Sequence, residues 1–344
     1  MNFKNSSKLL LLTGAAFVAP QAQALDDNDL WDQPADWSRH FRIGMQLGLN
    51  VKAKFKTAGT FDVGGVGQGP DGYRFDNGYV LKDISGNPDE TWYFGYDNAN
   101  QLVGSTLNFQ STSSYDVQNS GTRTKGDEPY VGFDLGYGWT LGSLGSARLG
   151  AEFGFGLLPI SISDRDPLEA TLATQDYTVD TSGVIVPAGG YHGSFEGPGV
   201  IISRDVVPGG ASSPSGPVSG SRTLDVLLYN FRLGPTLFWE LNPRFGVGVG
   251  AGGAVGIVTG DYKFNERPSG STGASFKGKF SETDFVYGGY VNALVTYRIE
   301  QSGDIFLGAQ YMPLSDSTFK QGGREAKLDL SSGIYITAGI NWPF

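Results

Sequence analysis

The chain has 344 residues, of which 52 are glycine, none is cysteine and 13% are aromatic, and its formal net charge is −10. Without cysteine there is no disulfide, thiol nucleophile or thiolate metal site, and the acidity argues against a nucleic-acid partner, whose phosphates attract a basic face. A mean hydropathy of −0.19 excludes a helical membrane protein built on runs of about 20 apolar residues, but not a β-barrel, whose lipid face hides within an average composition.

Residues 1–24 read as a cleaved secretory signal peptide: Lys4 and Lys8 give the positive start, residues 9–18 the apolar stretch and Ala22-Gln23-Ala24 the cleavage site. Residues 25–40 form an acidic tail with Asp26, Asp27, Asp29 and Asp32, whose spacing lacks the glycine and distal glutamate of a calcium loop. Residues 41–56 then alternate strictly. Phe41, Ile43, Met45, Leu47, Leu49, Val51, Ala53 and Phe55 share one face, opposite Arg42, Gly44, Gln46, Gly48, Asn50, Lys52, Lys54 and Lys56. A run of that length exceeds the usual soluble strand of about five or six residues and suits one that crosses a bilayer.

The same pattern recurs at residues 129–141, 147–159, 227–239, 245–257, 285–297 and 305–311 with no helical period between them, so the chain is all-β. Short connections at 142–146, 241–243 and 300–303 alternate with long ones at 161–221, 260–279 and 315–324. Weaker patterns at 91–96 (TWYFGY) and 103–117 supply the return and outward strands that parity requires. The expected count is therefore about ten strands, with eight and twelve as the alternatives. Pro235 sits mid-strand without an N–H, so a bulge is expected there.

The last seventeen residues repeat the alternation, with Leu328, Leu330, Ser332, Ile334, Ile336, Ala338, Ile340, Trp342 and Phe344 on one face. This segment resembles the C-terminal strand of Gram-negative outer-membrane β-barrel proteins, which ends in Phe with apolar residues at every second position before it. Ile336, Ala338, Ile340, Trp342 and Phe344 match that insertion signal; Pro343 departs from the pattern on the opposite phase. The resemblance implies an antiparallel up-and-down barrel over residues 41–344 in the cell outer membrane, with residues 25–40 and the short turns on the periplasmic side and the long loops outside. It also implies outer-membrane lipid and lipopolysaccharide as surroundings and the barrel-insertion machinery as a partner. Trp139, Trp239, Tyr297 and Trp342 each stand near a periplasmic end on the lipid-facing phase, as an aromatic girdle would.

The lumen phase carries Arg42, Arg148, Arg244, Arg298, Glu240 and Asp304 near the rim, and Asp134, Glu152 and Arg232 deeper in. Balanced signs point to internal ion pairs, whereas lumen-facing glycines such as Gly44, Gly48, Gly132, Gly136 and Gly154 leave room for a narrow hydrated channel. Gly248, Gly250 and Gly253 spell a dinucleotide fingerprint, but no βαβ unit surrounds them, and no cofactor is expected. His40 and His192, with Asp164, Asp166 and Glu196, show neither nucleophile-base spacing nor a metal cluster, so the expectation is a chain without enzymatic activity. The loop 161–221, rich in Gly, Pro and Ser toward its end, reads as flexible exposed chain that could meet an extracellular ligand. A structural or surface-recognition barrel is the first reading, a small porin-like channel the second, and a barrel-embedded hydrolase the third.

Overall fold

The computed structural model describes residues 38–63, 67–82, 93–126, 129–187, 189–193, 202–203, 205–269, 275–300 and 303–343. The signal peptide, nearly all of the acidic tail, Glu196 and Phe344 lie outside the described residues.

Eight strands form a closed ring: β1 (Arg39–Leu49), β2 (Tyr130–Leu144), β3 (Ala147–Asp164), β4 (Ser215–Glu240), β5 (Phe245–Pro268), β6 (Phe276–Glu300), β7 (Gly303–Tyr311) and β8 (Ile334–Pro343). Each pairs antiparallel with the next, and β8 returns to β1 from His40↔Pro343 to Leu49↔Ile334. Closure leaves the ring no free edge. The ring thus has eight strands, the lower of the two alternatives to the expected ten. Tyr93–Tyr96 and Thr106–Val117 are strands, but they pair outside it.

On the outward phase every ring strand is apolar and exposed, with Met45, Val131, Phe153, Leu233, Val255, Phe285, Leu307 and Ile340 as examples. On three neighbouring strands the band has sharp limits. It runs from Trp239 to Leu227 on β4, from Phe245 to Ile257 on β5 and from Tyr297 to Phe285 on β6, and the next outward residues are Asp225, Thr259 and Thr283. Twelve steps of about 3.4 Å on a strand tilted by about 40° rise about 31 Å, close to the ~30 Å of a hydrocarbon core. Trp139, Trp239, Tyr297 and Trp342 stand at the short-turn end of this band, on alternate strands, half-buried or exposed.

Beyond the band β4, β5 and β6 continue, reaching 26, 24 and 25 residues, and two further layers complete the far end. A small sheet, ordered Arg123–Lys125, Lys52–Thr57, Arg324–Asp329 and Ser317–Gln321, plugs the ring. Its inner face, with Ala53, Phe55, Phe319, Ala326 and Leu328, packs against Leu158, Ile160, Leu224, Leu228, Val258 and Tyr262 in one buried core. A cap lies beyond. There Leu168–Asp180 pairs with the start of β4, with Thr106–Val117 and with Val206–Ser212, beside a five-stranded sheet of Gly67–Gly69, Gly72–Phe75, Gly78–Leu81, Tyr93–Tyr96 and Tyr191–His192. Phe75, Phe94, Tyr96, Leu107 and Phe109 form its core.

Three expectations are corrected here. The alternation of 41–56 and of 328–344 does not mark single strands: both break, at Asn50 and at residues 330–333. Asn50 adopts φ 60°, a left-handed conformation that Asn tolerates better than branched residues, and its side-chain amide donates to the Ser332 carbonyl at 2.9 Å. No bulge occurs at Pro235, which faces Ala151 in unbroken register; only the ladder to β5 lapses, between Leu233↔Gly253 and Thr236↔Gly250. The register shifts instead at Thr140/Gly142 and Arg298/Glu300, beside short turns. Finally, the described part of 161–221 is largely hydrogen-bonded strand, because extended Gly and Ser satisfy a ladder as well as any residue once a neighbouring strand supplies the pairing.

Candidate functional site

The ring brings the inward-facing charges together. Arg42 on β1 donates to Glu152 Oε1 on β3 at 2.5 Å, and Arg232 on β4 donates to Asp134 on β2; all four are buried. Toward the short-turn rim Glu240 lies 3.2 Å from Arg148 and 3.5 Å from Arg298, which is also 3.5 Å from Asp304. Opposite charges in a low dielectric are tolerated in pairs of this kind. The inward glycines make room for these side chains and for Leu158. A Cβ on Gly154 would lie 2.5 Å from Arg232 Nη2, one on Gly136 3.2 Å from Arg42 Nη2, and those on Gly48 and Gly132 2.7 and 2.9 Å from the Leu158 methyl groups.

A cavity of about 60 Å³ remains at the short-turn end, lined among others by His40, Arg42, Arg148, Glu152, Asn292 and Asn341. That holds about two waters. Above it Gln46, Asn230 and Tyr335 are buried, and from Tyr130 upward the lumen is the aliphatic and aromatic core of the plug.

A second charged cluster, absent from the sequence reading, joins ring, plug and cap. Glu266 on β5 is fully buried; its Oε2 accepts from Arg324 Nη2 at 2.5 Å and from the Tyr115 hydroxyl at 2.8 Å, and its Oε1 from Arg222 Nη1 at 3.3 Å. Arg222 Nε lies 3.4 Å from Asp164 Oδ2, which Arg123 approaches at 3.6 Å. The Arg324 guanidinium is sandwiched between the rings of Phe61 and Phe264, 4.0 and 3.8 Å from their centroids. Burial, reinforced by the Glu266 carboxylate, pushes the Tyr115 hydroxyl above its usual range, so it remains a donor. A signal was present in the sequence. Asp164, Arg222 and Glu266 continue the inward phase of Leu158, Leu224 and Tyr262, and strands extended past the supposed loop boundaries would have aligned them.

The histidines are not brought together. His40 lines the cavity at the short-turn end, whereas His192 is an exposed cap residue whose Nε2 lies 3.6 Å from Asp97 Oδ1. Asp164 and Asp166 belong to the arginine cluster. Among the described residues no group of three His, Asp or Glu side chains is arranged to hold a metal.

No family model matches the chain, and no curated protein does. Solved structures with a similar course include the outer membrane protease OmpT of Escherichia coli, at 11% identity over 89% of this chain and 96% of that one with a TM-score of 0.36. The attachment invasion locus protein Ail of Yersinia pestis follows at 11% identity, 87% and 99% coverage and a TM-score of 0.23. A FadL homologue of Pseudomonas aeruginosa stands at 9%, 89%, 90% and 0.18. The expectation of a chain without enzymatic activity is corrected by the first of these neighbours, which is a protease. At such identity and TM-score the likeness transfers no catalytic residue, and the enzymatic status is open.

Proposed function

We propose that the chain is an outer-membrane β-barrel whose role is structural or recognitive, exercised through the rigid β cap beyond the bilayer, and that its lumen does not conduct. The exposed apolar outward phase of the ring strands, with limits at one height on β4, β5 and β6, supports membrane insertion. One observation carries the choice of recognition over conduction: the lumen is filled, by ion-paired arginines in its lower half and by the plug core above. A filled eight-strand interior leaves no solute path. The far end, by contrast, is a folded platform, and surfaces held on a rigid scaffold are where recognition resides. An extracellular ligand of the cap and the insertion machinery are the partners this reading entails.

The absence of cysteine makes the test clean. Ser182→Cys in the cap and Asn242→Cys in a short turn are introduced separately, and intact cells are treated with a membrane-impermeant thiol reagent. Labelling of the first and not the second is expected; the reverse would overturn the orientation. In planar bilayers the purified chain, with insertion verified by flotation, is expected to be silent, and reproducible conductance steps would overturn the filled lumen.

A further inference from the structure

The five-stranded sheet of the cap has a buried face and an outer one. Phe75, Val80, Phe94 and Tyr96 turn into the cap core, with Tyr73 packed against them. On the opposite phase the ladders set Gly67, Arg74, Tyr79, Gly95 and His192 in one row, each facing the next across a strand pair. From Arg74 to His192 the row crosses three strand spacings, about 14 Å.

The middle of the row is a floor of rings laid along the sheet. A Cβ on Gly95 would lie 2.6 Å from Tyr79 Cε1 and Cζ and 2.8 Å from its hydroxyl oxygen, so the phenol ring lies across the bare Gly95 backbone, and any larger residue there would lift it. The hydroxyl donates to the Gly193 carbonyl at 2.8 Å and pins the ring in that position. His192 stands on the next strand, its ring centroid 6.3 Å from that of Tyr79 and its plane inclined by 35°. The two rings are thus neighbours side by side, and both side chains keep contact with solvent.

Polar groups rim this floor. Asp97 Oδ1 is 3.6 Å from His192 Nε2 at one end and Asp71 Oδ2 is 3.3 Å from Arg74 Nη2 at the other, and all four side chains are exposed. Beside Asp71, Lys82 Nζ donates to the Pro70 carbonyl at 3.2 Å, so the formal charges of Arg74 and Lys82 offset those of Asp71 and Asp97. The hairpin that carries Arg74 and Tyr79 is clamped to the next layer: the Gln101 amide donates to the Asn77 and Asn108 carbonyls at 3.0 and 3.1 Å, and the Gln110 backbone N–H donates to Asn77 Oδ1 at 2.9 Å. A site fixed in this way spends little ordering entropy on binding.

We infer that this row binds a neutral oligosaccharide, with sugar rings stacked on Tyr79 and His192 and their hydroxyls bonded by Arg74, Asp71 and Asp97. A pyranose presents a face of C–H groups and a rim of hydroxyls. The C–H face meets the negative face of an aromatic ring, and adjacent carboxylate and guanidinium groups accept from and donate to the rim. The offset charges select against a sulfate or phosphate, whose recognition draws on uncompensated cations. An extended peptide would add to a sheet edge, whereas the row runs across the strands. The inference deepens the recognitive reading of the cap and rests on it for an extracellular source of the sugar.

The test uses the full chain in an amine-oxide detergent, which carries no sugar, on an array of neutral, sulfated and phosphorylated trisaccharides, with saturation-transfer NMR on the best binder. The parent is expected to bind a neutral trisaccharide and to saturate the C–H protons of one pyranose face. Tyr79→Ala should weaken binding about tenfold, while Tyr79→Phe, which keeps the ring and loses the bond to Gly193, should stay within about threefold. Arg74→Ala and His192→Ala, exposed and without consequence for the core, should each weaken it by about three- to tenfold. Binding to no neutral trisaccharide, preference for a sulfated or phosphorylated one, or parent affinity in both exposed variants would overturn the inference. Displacement of the trisaccharide by indole alone would assign the floor to a planar aromatic ligand and overturn the sugar. Binding by the purified chain but not by intact cells would sustain the row and fail the outward placement of the cap instead.

Discussion

Glu266→Gln tests how the cap is held. The four fully or nearly fully buried charges Glu266, Asp164, Arg222 and Arg324 sum to zero, and amidation leaves one cation uncompensated. Removing one partner of a buried ion pair costs about 3–5 kcal/mol. Here the loss falls on contacts between elements: Glu266 and Arg222 belong to β5 and β4, Arg324 to the plug hairpin and Tyr115 to the cap strand. The population with a detached cap should therefore rise by roughly a hundred- to several-thousand-fold. Limited proteolysis of the refolded chain would read this as rapid cleavage within Thr106–Val117 and Leu168–Asp180, while the unheated gel migration of the intact ring persists. A variant as resistant as the parent would refute the energetic argument. One that lost its folded migration would show that the cluster supports the ring and not the cap.

The lumen pair can be weighed by a double-mutant cycle in urea: Arg232→Met alone should cost about 3–5 kcal/mol, and adding Asp134→Leu should return stability to within about 1 kcal/mol of the parent. Additive losses would mean that the two do not interact. Met45, 64% exposed near mid-height of the band, should cost about 2–4 kcal/mol on replacement by Lys in vesicles, and an unchanged unfolding curve there would remove it from the lipid face. Hydrogen bonds from Lys54 and then Ser331 hold the Asp329 carboxyl at about 2. Because the folded value lies below the unfolded one of about 3.9, its contribution is complete above about pH 4 and lost as pH falls toward 2. A carboxyl titration by NMR should show this midpoint, and Lys54→Met should raise it; an ordinary midpoint in the parent would discard the contact.

The band was legible because the same outward apolar phase recurs on neighbouring strands. On β4, β5 and β6 thirteen-residue windows keep the outward phase free of charge, and their polar limits Asp225, Thr259 and Thr283 stand in the sequence itself. The count of ten failed on the same evidence. Alternation in 91–96 and 103–117 reports a sheet with one buried face, and Phe94, Tyr96, Leu107 and Phe109 meet that demand in the cap core as fully as lipid would. The charged partners of Asp134 and Glu152 were half-visible: the inward phase was right, but which arginine met which acid depends on stagger around the ring, and that is a property of pairing between distant strands.

The closing of the ring's far end lay beyond the hydrophobic pattern altogether. Ile43, Met45 and Leu47 face outward, while Val51, Ala53 and Phe55, in unbroken phase with them, are wholly enclosed; Ile340 and Ile334 stand to Leu330 and Leu328 in the same relation. A hydrophobic period cannot distinguish lipid from core, since both exclude water. What distinguishes them is a backbone event at one height on the neighbouring first and last strands, where Asn50 turns left-handed and binds the Ser332 carbonyl. Beyond that point both strands leave the wall and enter the plug. Part of what seals the lumen is thus drawn from the continuations of the two strands that close the ring, so the same chain segments serve closure of the ring and filling of its far end, and Glu266 and Arg324 join the ring wall to that plug.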